Sequence, residues 1–236
     1  MGYFSDTRRL GISLVLTLPL LVAYQIGLLV VGFEALNGAD FVTRMLLKLG
    51  GVGFLVANAS LLLVFGLTAA AMNGSGKGVT GYFVPLFIES GIYAVGLGYG
   101  VLVVMREVQL VAWPAAAPAL TLPPDVLQRL VISAGAGFHE ELVFRLGLFV
   151  GFGALLTRAL GDEWKGLAAV LALVVSSLAF SLAHFTAEPF AWFPFWFRLF
   201  AGAAFGALCW ARGFAVAVYT HALYDVWVLL AHGGRH

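Results

Sequence analysis

Apolar segments of roughly 20 residues, the length that an α-helix needs to cross a bilayer, recur along the whole chain. The first covers residues 10–33 and follows Arg8 and Arg9, and further runs cover 50–72 and 81–105. Only 11% of the residues are charged and 61% are hydrophobic, so a soluble domain of this size could not cover its surface with polar groups. We therefore predict an integral, multi-pass membrane protein, located in the cell membrane if the host is bacterial.

Turn-forming residues separate the apolar runs and set the number of spans. A Gly-rich turn follows residue 73, and a Pro-rich connector precedes a long helical region over residues 126–160, where Asp125 is a candidate N-cap. A fifth run covers residues 166–186, and two more follow it. A break near Gly135 or Gly137 would divide the region 126–160 into two helices, which would make eight spans rather than seven.

These features predict an all-α fold, a polytopic transmembrane helical bundle with seven to eight spans and a membrane-embedded polar site. Strands are disfavoured because an open sheet edge in lipid leaves backbone groups unpaired. The chain is predicted to be a single integral membrane domain over residues 1–236. Within it, residues 1–125 hold the N-terminal spans and the connector, and residues 126–236 hold the catalytic helices that carry the polar motifs. Membrane lipid is its expected surrounding.

Charge and cysteine content exclude several other classes of protein. The formal net charge is +1, which argues against nucleic acid as a partner. The single cysteine, Cys209, excludes an intrachain disulfide and a cysteine-based zinc cage.

The most informative residues are ionisable side chains inside apolar helices, because an isolated charge at the bilayer centre costs about 2.5–3.5 kcal/mol even on lenient scales. Glu141 and Arg145 are four residues apart and are predicted to pair on one helix face. Glu140 points about 100° away from Glu141 and would be available as a general base. The structural alternative is a salt bridge at a helix end on the membrane surface.

Two further polar groups lie in later helices. Phe180 and His184 share a helix face, so the aromatic ring could line a site and limit water. His221 and Asp225 are four residues apart and project together from the last span. The alternatives are a histidine satisfied at the membrane interface and a His–Asp pair that only locks helix packing.

Three such groups in three helices predict that their side chains converge on one water-containing cavity, since each would be costly in lipid. A glutamate and two histidines can activate water in two ways. Either the glutamate takes the proton directly, or a bound divalent metal lowers the pKa of the water. Imidazole nitrogen and carboxylate oxygen are both suitable zinc ligands.

Three motifs resemble, in order and position, the signature motifs of the CPBP family: Glu140-Glu141-x-x-x-Arg145, Phe180-x-x-x-His184 and His221-x-x-x-Asp225. This family comprises type II CAAX prenyl endopeptidases and bacterial Abi relatives linked to bacteriocin processing and self-immunity. The resemblance covers about residues 138–227. It implies an intramembrane endopeptidase that hydrolyses a peptide bond of a membrane-anchored, lipidated or C-terminally tagged protein or peptide.

The resemblance also implies roles for the catalytic residues. Glu140 would be the general base for the attacking water, and His184 would bind or polarise that water. His221 and Asp225 would stabilise the oxyanion of the tetrahedral intermediate. Because Asp225 stands where the family often has Asn, it is expected to be protonated, to bind a metal or to orient His221.

Glu141 and Arg145 are expected to support the site rather than to take part in the chemistry. No cofactor follows with certainty from the resemblance, since family members are described both as metalloproteases and as glutamate-dependent enzymes. A metal-dependent member would hold a divalent ion, such as zinc, through Glu140, His184, His221 and Asp225.

Other intramembrane proteases fit the sequence less well. A site-2 zinc protease needs His-Glu-x-x-His, but the second histidine is absent after Glu140. An aspartyl protease needs two intramembrane aspartates, and only Asp225 lies within a span. Ser133 could serve a serine protease, although that reading leaves the glutamates unexplained.

Two alternatives are not proteases. A proton-coupled transporter would use buried Glu and His residues, and Glu89 in the third span would suit it, although no internal repeat of the kind common in transporters occurs. For Glu89 we favour a structural bond to a neighbouring helix. The other alternative is a non-enzymatic immunity or scaffold protein of the same fold.

Overall fold

The computed structural model of the chain describes residues 2–32, 41–73, 78–108, 110 and 126–232. The core of the Gly-rich turn and the Pro-rich connector with Asp125 lie outside the described residues. Within them every regular element is a helix and no strand occurs. The predicted all-α class is confirmed.

The described residues form ten α-helices. In chain order they are α1 (Tyr3–Asp6), α2 (Leu10–Val31), α3 (Phe41–Leu47), α4 (Gly50–Asn73), α5 (Phe83–Glu107), α6 (Val126–Glu141), α7 (Gly153–Leu160), α8 (Lys165–His184), α9 (Trp192–Arg212) and α10 (Phe214–His232). A π-helix, Leu142–Phe152, joins α6 to α7. Short 3₁₀ turns precede α5 at Thr80–Tyr82 and α8 at Asp162–Trp164.

The described part of the chain contains seven apolar helical stretches. Six are long enough to cross a bilayer, and the seventh, Phe214–Leu229, is shorter. Large apolar side chains on their outer faces, such as Leu29, Val52 and Leu155, are exposed. Outside a membrane this surface would be strongly unfavourable, whereas lipid solvates it without cost. The chain is an integral, multi-pass membrane protein.

The region Val126–Leu160 is one continuous helical stretch, so the alternative with a break near Gly135 or Gly137 does not apply. The helical geometry changes later, at Leu142, where the π-helix begins. Gly137 instead permits close packing, because a Cβ at this position would lie 2.6 Å from the backbone nitrogen of Ala222. The described residues therefore hold six helices long enough to cross a bilayer and one shorter apolar helix, without the eighth that a break would have created.

Helices α6 and α10 form the centre of the bundle. Helix α10 packs against α2, α5, α6 and α9, and residues 213–222 are buried without interruption. The last seven residues of α6 are buried as well. Close approach at Gly137, of the kind that small residues allow between membrane helices, brings the two backbones together one turn from Glu140 and Glu141.

A second polar cluster ties α1 to α5 and α9, where α5 begins and α9 ends. Arg212 donates to Glu89 through Nε–Oε1 at 2.6 Å and Nη2–Oε2 at 2.9 Å, and the Tyr3 hydroxyl donates to Glu89 Oε2 at 2.5 Å. Burial and the carboxylate of Glu89 hold the pKa of Tyr3 above its usual value, so its hydroxyl remains a donor. These bonds agree with the structural role favoured for Glu89 and not with an ion-coupling role.

We expect Glu89→Ala and Arg212→Ala each to lower the free energy of unfolding by about 3 kcal/mol, because each leaves the partner charge without its counter-ion. The double variant should lose clearly less than the sum of the two single losses. Unfolding in detergent or bicelles measures all three variants. Additive losses would contradict this account of the pair.

Candidate active site

Ionisable side chains from four helical elements converge in the half of the bundle where α8 ends and α9 begins. Glu140 and Glu141 end α6, Arg145 lies in the π-helix, and His184 is the last residue of α8. His221 and Asp225 extend from α10 into the same region. The structure thus brings together all six side chains that the sequence singled out.

Glu140 faces both histidines through one oxygen. Its Oε2 atom lies 3.8 Å from Nε2 of His184 and 3.9 Å from Nε2 of His221. These separations exceed direct hydrogen-bond lengths. A water about 2.8 Å from each atom can bridge either pair, so the arrangement suits a water held beside a carboxylate.

Glu141 holds the inner wall of the site. Its Oε1 atom accepts from Nδ1 of His221 at 2.9 Å, and its Oε2 atom is paired with Nε of Arg145 at 3.1 Å. The side chains of Glu141 and Arg145 are fully buried. Because a carboxylate paired with arginine can only accept, Nδ1 of His221 carries a proton and Nε2 is the nitrogen that faces Glu140.

Asp225 was expected to be one of the groups that could orient His221, but Glu141 makes the direct hydrogen bond. The Oδ2 atom of Asp225 lies 3.6 Å from Nε2 of His221, which is beyond a hydrogen bond. Asp225 therefore faces the reactive nitrogen of the imidazole rather than its anchored one.

Aromatic rings enclose the cationic part of the site. The guanidinium of Arg145 lies 4.5 Å from the ring centre of Phe180 and 5.4 Å from that of Phe205. Phe205 stacks on His221 at 4.6 Å with a 19° angle between the planes, and Phe180 lies 5.0 Å from His184. Cation–π contacts of this kind stabilise a charge that has been removed from water.

Phe205 contacts Arg145 and His221, but the sequence did not identify it as part of the site. It is one of 20 phenylalanines in the chain, and no ionisable residue next to it in α9 marks its position. A faint signal exists in the flanking Gly202 and Gly206, which allow α9 to pack closely on α8, where a Cβ would meet Ser177 and Leu173.

The site is closed on one side and open on the other. The side chain of Glu140 is 3% exposed, whereas those of His184 and Asp225 are 24% and 25% exposed. The two exposed groups belong to the end of α8 and the middle of α10. The site is therefore most accessible past His184 and Asp225, in the half of the bundle where α8 ends.

Comparison with known protein families agrees with this geometry. Residues 122–227 match the family model described as "Type II CAAX prenyl endopeptidase Rce1-like", and this range contains every side chain of the site. This match supports the resemblance to the CPBP family, CAAX-type intramembrane protease activity in general and a membrane-anchored substrate, without specifying either the substrate or the mechanism. No curated protein and no solved structure gives a significant match to the chain.

Two further candidate residues of α6, His139 and Ser133, make their contacts outside the set of six side chains. Nδ1 of His139 is 3.1 Å from the carbonyl oxygen of Gly135, and its ring packs 5.0 Å from Tyr24 of α2. Ser133 is buried, and its hydroxyl has no hydrogen-bond partner among the described residues. The described structure therefore provides no histidine base for a serine nucleophile at this position.

The four candidate metal ligands do not have the arrangement of a metal site. In the parts of the chain that the structure describes, no group of three or more His, Cys, Asp or Glu side chains could hold a metal ion as placed. The metal-dependent form of the site, with Glu140, His184, His221 and Asp225 as ligands, stays a prediction from the sequence.

Helix α8 supports the π-helix through a hydrogen bond that crosses between helices. The Ser176 hydroxyl donates to the carbonyl oxygen of Phe144 at 2.5 Å, next to Arg145. The adjacent Ser177 donates instead to Leu173 of its own helix at 2.7 Å. Since π-turns displace backbone carbonyls from the α-helical pattern, Ser176 stabilises the turn from which Arg145 reaches Glu141.

We expect Ser176→Ala to lower kcat about tenfold with little change in KM, because Arg145 and Glu141 lose part of their positioning. Ser177→Ala is the matched control and should retain wild-type rates, since its hydroxyl bonds only within α8. Ser176→Thr, which keeps the hydroxyl, should recover most of the loss. Peptide cleavage by the reconstituted protein measures all three, and equal effects of the two alanine variants would contradict this role.

Proposed function

We propose that the protein is an intramembrane endopeptidase in which Glu140 activates water for attack on a peptide bond. The observation that supports this most directly is the position of one Glu140 oxygen 3.8 Å and 3.9 Å from two histidine nitrogens. A carboxylate at this point can take a proton from a water that the histidines hold in place.

The reaction is a hydrolysis with a balanced proton count. Glu140 removes one proton from water while the water oxygen bonds to the carbonyl carbon of the substrate. The carbonyl oxygen thereby becomes an oxyanion. Glu140 then delivers that proton to the amide nitrogen as the C–N bond breaks. The products are an amine and a carboxylic acid, which releases its remaining proton to solvent.

His221 stabilises the oxyanion in this proposal. Its Nδ1–H is fixed on Glu141, so Nε2 points towards Glu140 and Asp225. With a proton on Nε2, the imidazole donates to the oxyanion, and Glu141 stabilises the resulting charge. A protonated Asp225 is a second donor, and His184 holds the attacking water.

The position of the opening restricts the depth in the membrane at which the scissile bond can lie. Water enters at the end of the bundle where α8 ends, so the scissile bond lies near one membrane surface rather than at the bilayer midplane. A prenylated C-terminus, a bacteriocin leader and a C-terminal sorting segment all place a cleavable bond there. In a bacterial host the last two are the proposed substrates, because prenylated proteins are mainly eukaryotic.

We expect Glu140→Gln to reduce cleavage at least a thousandfold, since an amide cannot accept the proton from water. Glu163→Gln is the matched control, because it makes the same chemical change at an exposed position in the Asp162–Trp164 turn, and it should leave cleavage unchanged. Profiling of protein N- and C-termini in cells carrying each variant would identify the substrate as the protein left uncleaved only with Glu140→Gln. Normal cleavage by Glu140→Gln would exclude this mechanism, and a scaffold role would survive the substitution.

We expect His221→Gln to lower kcat about a hundredfold or more through loss of the oxyanion donor. His139→Gln provides the comparison, because it also replaces a buried histidine but on the side of α6 that contacts Tyr24, and it should retain kcat. Rates are normalised to folded protein, measured by size-exclusion chromatography. Comparable losses in both variants would indicate that His221 acts only through helix packing.

A further inference from the structure

A cation stands beside the opening of the site and has no role in the proposed hydrolysis. The guanidinium of Arg198, on α9, lies 5.5 Å from the ring centre of Phe185, the residue after His184. Phe197, the residue before Arg198, stacks on Tyr224 with 6.4 Å between the ring centres, and Tyr224 precedes Asp225. Arg198 therefore lies near the two partly exposed side chains of the site, His184 and Asp225.

The partner of Arg198 is a carboxylate from the turn that follows α8. Glu188 accepts a hydrogen bond from Nη1 of Arg198. The side chain of Glu188 is 40% exposed, and that of Arg198 is 20% exposed. In contrast, both members of the Glu141–Arg145 pair are fully buried. The cation at the opening is therefore more deeply buried than the carboxylate that pairs with it.

Such an ion pair can exchange its carboxylate. Ion pairs at exposed positions contribute little to stability, so replacing the Glu188 carboxylate by another carboxylate changes the free energy little. A guanidinium presents paired donors that match a carboxylate with two parallel hydrogen bonds. Because Arg198 already binds the carboxylate of Glu188, a ligand that replaces Glu188 is expected to carry a carboxylate as well.

We propose that Arg198 binds the C-terminal carboxylate of the substrate in place of Glu188, so that the protein selects peptides whose chain ends shortly after the scissile bond. This inference rests on the proposed hydrolysis at Glu140 and adds a specificity determinant to it. Glu188 occupies the carboxylate position when no substrate is bound. Of the substrates proposed above, a prenylated C-terminus and a short C-terminal sorting segment carry this group near the cut. A bacteriocin leader does not, because its chain continues beyond the cut, so this inference excludes it.

The test measures how substitutions of Arg198 and of Glu188 change the binding of two forms of one peptide. The probe is a prenylated peptide with three residues after the cysteine, prepared with a free C-terminal carboxylate or with a C-terminal amide. Binding is measured on reconstituted protein carrying Glu140→Gln, which keeps the probe intact. Arg198→Gln, Arg198→Lys and Glu188→Gln are each added to that background.

The protein with intact Arg198 and Glu188 should bind the carboxylate form about tenfold or more tightly than the amide form, as expected for a hydrogen bond between charged groups. Arg198→Gln should remove this preference, and Arg198→Lys should retain part of it. Glu188→Gln should keep or increase the preference, because the competing carboxylate is gone. Opposite effects of Arg198→Gln and Glu188→Gln cannot arise from a pair that only holds the turn in place.

Two results would overturn the inference. One is equal binding of the two peptide forms, including undetectable binding of both, when Arg198 and Glu188 are present. The other is an equal loss of preference in Arg198→Gln and Glu188→Gln. Failure of the hydrolysis itself gives a different result, namely cleavage in cells that does not depend on Glu140.

Discussion

The structure depends on how one buried carboxylate, Glu141, is neutralised at the centre of a membrane bundle. One oxygen accepts from His221 and the other is paired with Arg145. Neither Glu141 nor Arg145 reaches water, so removing either would leave a charge in an apolar interior at high cost. This constraint holds α6, the π-helix and α10 in one register, and that register places Glu140 beside His184 and His221.

The surrounding packing makes this arrangement possible. Gly137 lets α6 and α10 approach closely, and the rings of Phe180 and Phe205 lie against the Arg145 guanidinium. Ser176 bonds the first turn of the π-helix from α8. The rings take the place of water around the guanidinium, while the glycine and the serine position the helices that carry the ion pair.

The sequence predicted the fold class and the membership of the site because both depend on local rules. Apolar length predicts spans, and four-residue spacing pairs Glu141 with Arg145. The π-helix and the contacts of Phe205 and Ser176 were not predictable, because they depend on which helices become neighbours. Gly137 illustrates the difference, since glycine in sequence suggested a break, whereas in the bundle it is the point of closest helix contact. For the same reason the sequence suggested that Asp225 could orient His221, yet a residue 80 positions away does so.

The unequal exposure of the polar groups determines from which side water can enter the site and to which side a cleaved peptide can leave. Glu140 is buried, while His184 and Asp225 are partly exposed near the end of α8, and the contacts of Arg212, Glu89 and Tyr3 lie at the opposite end of the bundle. In the proposed protease we therefore expect water to enter from the membrane face at which α8 ends. Proteolysis would then be vectorial, because one aqueous compartment would both supply the water and receive the released peptide.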